Sequence, residues 1–281
     1  MSESIALPQD RILKLRQTAR DIRLNVLEMI YTAQSGHIGG SFSAAEILAA
    51  LYFDILRIRP KEPDWPDRDR FVISKGHACP VLYATLAMKG YFPMDTLGSL
   101  RQFESILQGH PVMKTPGIDI NTGSLGVGFA SAIGIALEAK RSGREYTVYV
   151  LLGDGEIQEG IVWEAASTAR KYRLDNLVAI VDRNTIQNDG VVDEIMPIEP
   201  IDEKFRVFGW NAERIRGNDL EEVLPAIERG RDHKGGPYCI VADTAKGKGV
   251  SFMENDRHWH GKPPDRQQYE AARAELLGGC R

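Results

Sequence analysis

An acid sits between two glycines in Gly153-Asp154-Gly155-Glu156, directly after an apolar run that ends at Leu152 and before a helix-patterned stretch. Glycines on both sides of an acid suit a tight turn where backbone must come close to a ligand. The N-terminus of the following helix offers free N–H groups and a positive dipole end, both of which favour phosphate. A carboxylate aimed at a phosphate requires a cation between them. Asp154 is therefore a candidate ligand for Mg²⁺ or Ca²⁺, which take hard oxygen donors. Thirty residues on, the next apolar run ends in Asp182-Arg183-Asn184-Thr185-Ile186. Asn184 can supply a neutral amide oxygen and Ile186 a backbone carbonyl. With diphosphate oxygens and water, these three donors would complete the octahedron that Mg²⁺ demands.

Two further groups of residues are suited to chemistry. In Thr122-Gly123-Ser124-Leu125-Gly126-Val127-Gly128 the glycines permit close backbone approach to a ligand. The spacing is not that of a dinucleotide fingerprint, and no strand runs directly into it. Five of the six histidines lie in loop-like contexts: His37 in Ser-Gly-His-Ile-Gly-Gly, His77 in Lys-Gly-His, His110 in Gly-His-Pro, and His258 and His260 in His-Trp-His-Gly. Such a set suggests a place where protons move or hydroxyls are held near neutral pH. Zinc is the competing use, but no third ligand stands near His258 and His260. Cys79 lies two residues from His77 and is a weak candidate nucleophile.

These residues need a scaffold that gathers them. Short apolar runs at 71–73, 146–152, 177–181, 212–215 and 238–242 read as strands. Between and before them, 11–34, 43–56, 129–141, 157–172 and 220–229 carry helical spacing, with Ser43 and Glu46 placed for a capping box. The alternation predicts an α/β fold, an open doubly wound parallel sheet with helices on both faces, in a single domain over 1–281. Such sheets bind ligands beyond the carboxyl ends of their strands, which is where the acid, amide and histidine segments fall.

Composition narrows the function further. The chain has 281 residues, 43% hydrophobic and 26% charged, with a formal net charge of −4. That balance argues against a nucleic-acid or anionic-membrane partner. No apolar run approaches the roughly 18 residues of a membrane span, and 1–10 lacks the order of a secretory signal. Three widely spaced cysteines, Cys79, Cys239 and Cys280, read as reduced thiols of a cytoplasmic protein.

The pairing of Gly-Asp-Gly with Asn184 is the pattern of thiamine diphosphate enzymes. With Ser-Lys-Gly-His (74–77), Gly-His-Pro (109–111), Thr-Gly-Ser-Leu-Gly (122–126) and Leu-Gly-Asp-Gly-Glu (152–156), the chain resembles the N-terminal, diphosphate-binding part of transketolase from the His37 segment to His260-Gly261-Lys262-Pro263. The resemblance implies roles for individual residues. Asp154, Asn184 and the Ile186 carbonyl would bind Mg²⁺, for which Ca²⁺ can substitute. His77, Gly123, Ser124, Leu125, Gly155, Glu156, Asn184, Lys246 and His260 would contact thiamine diphosphate. His37, His77, His110 and His260 would act on the sugar's hydroxyls and carbonyl, and Glu159 and Glu164 would lie at a subunit contact. The implied reaction moves a two-carbon ketol unit from a ketose phosphate to an aldose phosphate, as in pentose phosphate metabolism.

The chain also departs from the family. Transketolases are usually more than twice this long, and their second domain holds the thiamine pyrimidine. The expectation is a split enzyme, with that domain on a C-terminal partner subunit, in an assembly holding two copies of each chain. Ile38-Gly39-Gly40 replaces a Pro-containing sequence common after this histidine. Alternatives are a split relative devoted to an unusual sugar, another thiamine-dependent synthase such as 1-deoxyxylulose-5-phosphate synthase, and a non-catalytic cofactor-binding relative.

Overall fold

The computed structural model describes residues 9–279. Its sheet comprises β1 (Arg70–Ile73), β2 (Val148–Gly153), β3 (Leu177–Arg183), β4 (Asn211–Arg216) and β5 (Tyr238–Asp243). All neighbours are parallel and the order is β1-β2-β3-β5-β4. Each expected strand is present. The near-continuous apolar runs of β2, β3 and β5 follow from burial on both faces, which removes the need for alternating polar residues. In β2, Val148, Val150 and Leu152 enter one core while Tyr149 and Leu151 enter the other.

The helices are α1 (Gln9–Ala33), α2 (Ile38–Ser43), α3 (Ala45–Ala50), α4 (Cys79–Lys89), α5 (Val127–Ser142), α6 (Gly160–Lys171), α7 (Val192–Ile195), α8 (Ile201–Val207), α9 (Leu220–Asp232) and α10 (Arg266–Gly278). One core is formed by residues of α5, α6 and α8, including Phe129, Val162 and Phe205, and the other by residues of α1, α3, α4 and α9. The layering follows from the handedness of parallel crossovers. Connections from β1 to β2, β2 to β3 and β3 to β4 run one way along the sheet. The connection from β4 to β5 runs back, so α9 falls on the opposite face. Running order therefore reverses beside β3 and β5, the crevice where ligands of such sheets bind.

Two expected helices take a different form. The stretch 43–56 is divided among the end of α2, α3 and a π-helical turn at Leu51–Ile55, and the capping box is not made. The Ser43 hydroxyl instead donates to the Asp182 carboxylate at 2.6 Å, with Gly40 O a further 3.1 Å contact, while Glu46 accepts from the buried Arg23 guanidinium. A buried carboxylate and a buried guanidinium outcompete a local cap. The stretch 157–172 begins its α-helix only at Gly160, after a 3-10 turn at Gly155–Gln158. Helix α10 was not expected; Asp265 and Gln268 close a capping box at its start, and Tyr269 stacks on Tyr31 of α1 at 4.2 Å. Among the described residues no helix is long and apolar enough to cross a membrane.

Candidate cofactor and metal site

Because β2 and β3 pair in register, with Gly153 opposite Asp182, the segments that follow them leave the sheet side by side. Asp154 is buried at 4% exposure; its carboxylate accepts from Gly155 N at 2.8 Å and Thr185 N at 2.5 Å. Thr185 is held at φ 65°, an uncommon conformation for a threonine, and that turn points its N–H at Asp154. Asn184 is also buried. Its Oδ1 accepts from Ile186 N at 3.2 Å and its Nδ2 donates to Asp182 at 3.3 Å. The Ile186 carbonyl accepts from the Lys246 ammonium at 2.6 Å.

The three expected metal donors thus line one cavity of about 370 Å³, together with Gly123, Leu125, Gly155, Glu156, Lys246, His77 and His260. Their chemistry fits a hard cation. Burial, and then the neighbouring Asp182, pushes the Asp154 carboxyl up to about 6, so its charge lacks sufficient compensation within the chain. The Ile186 carbonyl already faces a cation, the Lys246 ammonium. No group of three or more His, Cys, Asp or Glu among the described residues is arranged to hold a metal, which leaves the zinc reading without a ligand set. His258 is exposed and pairs with Asp256 at 2.7 Å.

Above the cavity the histidines converge. The His37 ring lies 5.1 Å from His77 and 5.4 Å from His260, and His77 stacks on His260 at 5.4 Å. Burial first, then neighbouring positive groups, lowers His37 to about 4, His77 to about 2 and His260 to about 3. All three are therefore neutral at pH 7. Lys246, lowered to about 8 by burial, lies 2.8 Å from His260 Nδ1. An ammonium can only donate, so Nδ1 accepts and the neutral ring carries its proton on Nε2. Among the described residues, His37 Nδ1 and the Thr122 hydroxyl are buried without a hydrogen-bond partner, as expected of groups awaiting a polar ligand.

Not every expected residue meets the cavity in the same way. Glu156 lines it, but both carboxylate oxygens are taken: by Ser74 Oγ and Gly126 N on one side and Gly153 N on the other. It ties the glycine loop to the ends of β1 and β2. Ser124 is exposed and, like His37 and His110, lies outside the cavity lining. His110 sits at the rim beside Gly123, exposed, and is lowered by partial burial and by Arg101. Glu159 precedes α6 at the cavity edge, and Glu164 is exposed on α6.

Two of the three loop glycines serve packing rather than a ligand. Gly126 adopts φ +78°, and a Cβ there would lie 2.4 Å from Ile161 Cγ2; a Cβ at Gly128 would lie 2.8 Å from the Ser74 backbone. Gly123 alone of the three lines the cavity. Within Ile38-Gly39-Gly40, Gly39 is likewise held to glycine by packing, since a Cβ there would stand 2.8 Å from Trp259 O and 3.0 Å from the Lys246 stem. Cys79 is fully buried, donates to Gly109 O at 3.3 Å and is pushed up to about 12, which is no setting for a thiolate nucleophile.

Sequence reasoning missed Arg101, Asp182 and Gln187. Arg101 donates to Ser35, and its charge lowers both His37 and His110. Gln187 lines the cavity and accepts from Gln158 at 2.9 Å. Asp182 stands merely as the first polar residue after an apolar run, and nothing beside it in the sequence marks its partners.

Comparison with known proteins identifies the family and the fold. The family described as "Transketolase, thiamine diphosphate binding domain" matches residues 15–278. A 6-deoxy-6-sulfo-D-fructose transketolase subunit of Clostridium sp. (strain MSTE9) is 45% identical, over 94% of this chain and 96% of its own length. An apulose-4-phosphate transketolase subunit of Phocaeicola vulgatus is 42% identical, over 90% of each chain. The crystal structure of transketolase from Campylobacter jejuni superposes with a TM-score of 0.91 at 35% identity, covering 95% of this chain and 43% of that one. The chain therefore spans less than half of that full-length enzyme, but nearly the whole of each of the two subunits. A doubly wound sheet brings an acid, an amide and two neutral histidines to one cavity at its adjacent strand ends, with His37 against both histidines, and the likenesses run along nearly the whole sequence. On both grounds the protein belongs to the transketolase family, as its N-terminal, thiamine diphosphate-binding domain.

Proposed function

We propose that this chain is the diphosphate-binding subunit of a two-chain transketolase, holding thiamine diphosphate through Mg²⁺ and transferring a two-carbon ketol unit between sugars. The convergence of Asp154, Asn184 and the Ile186 carbonyl beneath His37, His77 and His260 carries the reading. When bound, thiamine diphosphate supplies the nucleophile and electron sink that carbon–carbon bond cleavage needs. The chain's part is to hold it and to handle protons. Asp154, Asn184 and the Ile186 carbonyl give oxygen donors to the metal, and Ca²⁺ can take its place. Gly123, Leu125 and Gly155 offer backbone to the cofactor. The Ile186 carbonyl, which accepts from Lys246 here, would serve the metal, and Lys246 would then be available to diphosphate oxygens.

Neutral imidazoles suit the substrate's steps. His260, with its proton on Nε2, can donate to a developing alkoxide. His37 and His77 accept from or donate to hydroxyls without adding charge, and His110 at the rim exchanges protons with solvent. A pyrimidine-binding partner subunit completes each active site, in an assembly with two copies of each chain; the family resemblance gives Glu159 and Glu164, both exposed, to the subunit contact.

The two subunit-length relatives are named for 6-deoxy-6-sulfo-D-fructose and apulose 4-phosphate. Their naming favours an unusual sugar donor over the general pentose phosphate pool. The test is two-carbon transfer with Mg²⁺ and thiamine diphosphate, using this chain alone, its genomic neighbour alone and the mixture. Donors would include xylulose 5-phosphate, fructose 6-phosphate and the two named sugars. Activity only in the mixture, greatest with a modified sugar, is the expected result; turnover by the chain alone would contradict the two-chain reading.

A further inference from the structure

Beneath the metal donors lies a buried carboxylate that makes no contact expected of a ligand. Asp182, 0% exposed at the end of β3, accepts from Ser43 Oγ at 2.6 Å, from the Lys75 ammonium, from Thr244 Oγ1 and from Asn184 Nδ2 at 3.3 Å. Lys75, itself 2% exposed, also donates to Gly40 O at 2.8 Å. One carboxylate thus ties together the segments that follow β1, β3 and β5 and the end of α2. A buried ion pair of this kind is a poor source of stability, because desolvation offsets most of the attraction. Its geometry has a more specific consequence. An amide has a donor end and an acceptor end, and Asp182 accepts only at the donor end of Asn184.

We infer that Asp182 is a positioning residue for the metal: by taking the Asn184 Nδ2–H it fixes which end of that amide faces the cation, while Lys75 balances its charge. The inference rests on the metal assignment proposed above. Outer partners of this type contribute about 10–100-fold to metal affinity. The remaining donors, Ser43 and Thr244, hold the carboxylate's other lone pairs and keep it from turning toward the metal itself.

The test uses the full chain with thiamine diphosphate and its partner subunit, with bound Mn²⁺ counted by electron paramagnetic resonance as the readout independent of turnover. Removing Asp182 alone strands Lys75, so the informative variants change both. Asp182→Leu with Lys75→Met replaces the ion pair by apolar groups and should retain wild-type circular dichroism while binding Mn²⁺ at least about tenfold more weakly. Asp182→Asn with Lys75→Met keeps an acceptor oxygen for Asn184 and should restore affinity to within about threefold of wild type. Ser43→Ala, which removes a donor but leaves the Asn184 contact, should change affinity less than twofold.

A folded Leu–Met variant with wild-type Mn²⁺ affinity overturns the inference. So does an Asn–Met variant as weak as the Leu–Met one, since charge and not the hydrogen bond would then be acting. Equal loss in Ser43→Ala would reduce Asp182 to general scaffolding. A wild-type complex that retains no Mn²⁺ would instead remove the metal assignment itself, a result distinct from any of these.

Discussion

Asp154 and the three clustered histidines have opposite problems, and both derive from burial. Desolvation raises the carboxyl to about 6 and lowers the imidazoles to about 4, 2 and 3. Unfolded imidazoles take a proton near 6.5. Below that pH the unfolded chain binds protons that the folded one refuses, so stability falls progressively from about pH 6.5 toward 4. Asp154 acts in the other direction between about pH 4 and 6, since its raised group binds protons better when folded, but it is one group against three. The metal-free chain should accordingly melt at a lower temperature at pH 5 than at pH 7. The ring signals of His37, His77 and His260 should keep neutral shifts at pH 5 in NMR; a protonated signature in any of them at that pH would contradict the burial argument. For His110, exposed at the rim, substitution by Ala should leave cofactor affinity unchanged and slow turnover by about 100-fold, measured as kcat in the mixture of subunits. The candidate metal donors stand out in the sequence because Gly-Asp-Gly and Asn184 each follow an apolar run. Asp182 does not, because its partner Lys75 stands 107 residues away and nothing local announces the pair.

At the scale of elements, the sheet was legible and several helices were not. Strands buried on both faces declare themselves as unbroken apolar runs, and all five lie where those runs fall. Helix α10 has only Ala272 and Leu276 buried, too little apolar contrast to show in Arg266–Gly278. The capping box at Ser43 failed for a different reason: its spacing was right, but Asp182 and Arg23 claimed the two side chains. The glycine loop gives a test of packing against ligand approach. Gly126→Ala should cost about 1–3 kcal/mol through its positive φ and the contact with Ile161. Gly134→Ala, on the exposed face of α5 with nothing within 4 Å, should stabilise by about 0.5–1 kcal/mol. Urea unfolding of the two variants measures both, and equal effects would discount the packing role of Gly126.

At the scale of the whole molecule, the proposed function makes this chain one half of an active site. Its cavity opens at the carboxyl ends of β2, β3 and β5, where Val127, Val191, Ile195 and Met196 are exposed apolar residues on nearby segments. A pyrimidine-binding subunit seated there would cover them and close the cavity over the histidines. Fold and family were readable from one chain because its own strands and the segments that follow them carry the signal. The substrate was not, because the groups that would select a sugar's anionic end are expected on the partner. The central claim, that this cavity holds a diphosphate through a metal on Asp154, is tested most directly by calorimetric binding of thiamine diphosphate to the two-subunit complex, with and without Mg²⁺. Wild type should bind only when Mg²⁺ is present. Asp154→Ala should lose at least the 10–100-fold that even outer metal partners contribute. Metal-independent binding, or wild-type affinity in Asp154→Ala, would contradict the account.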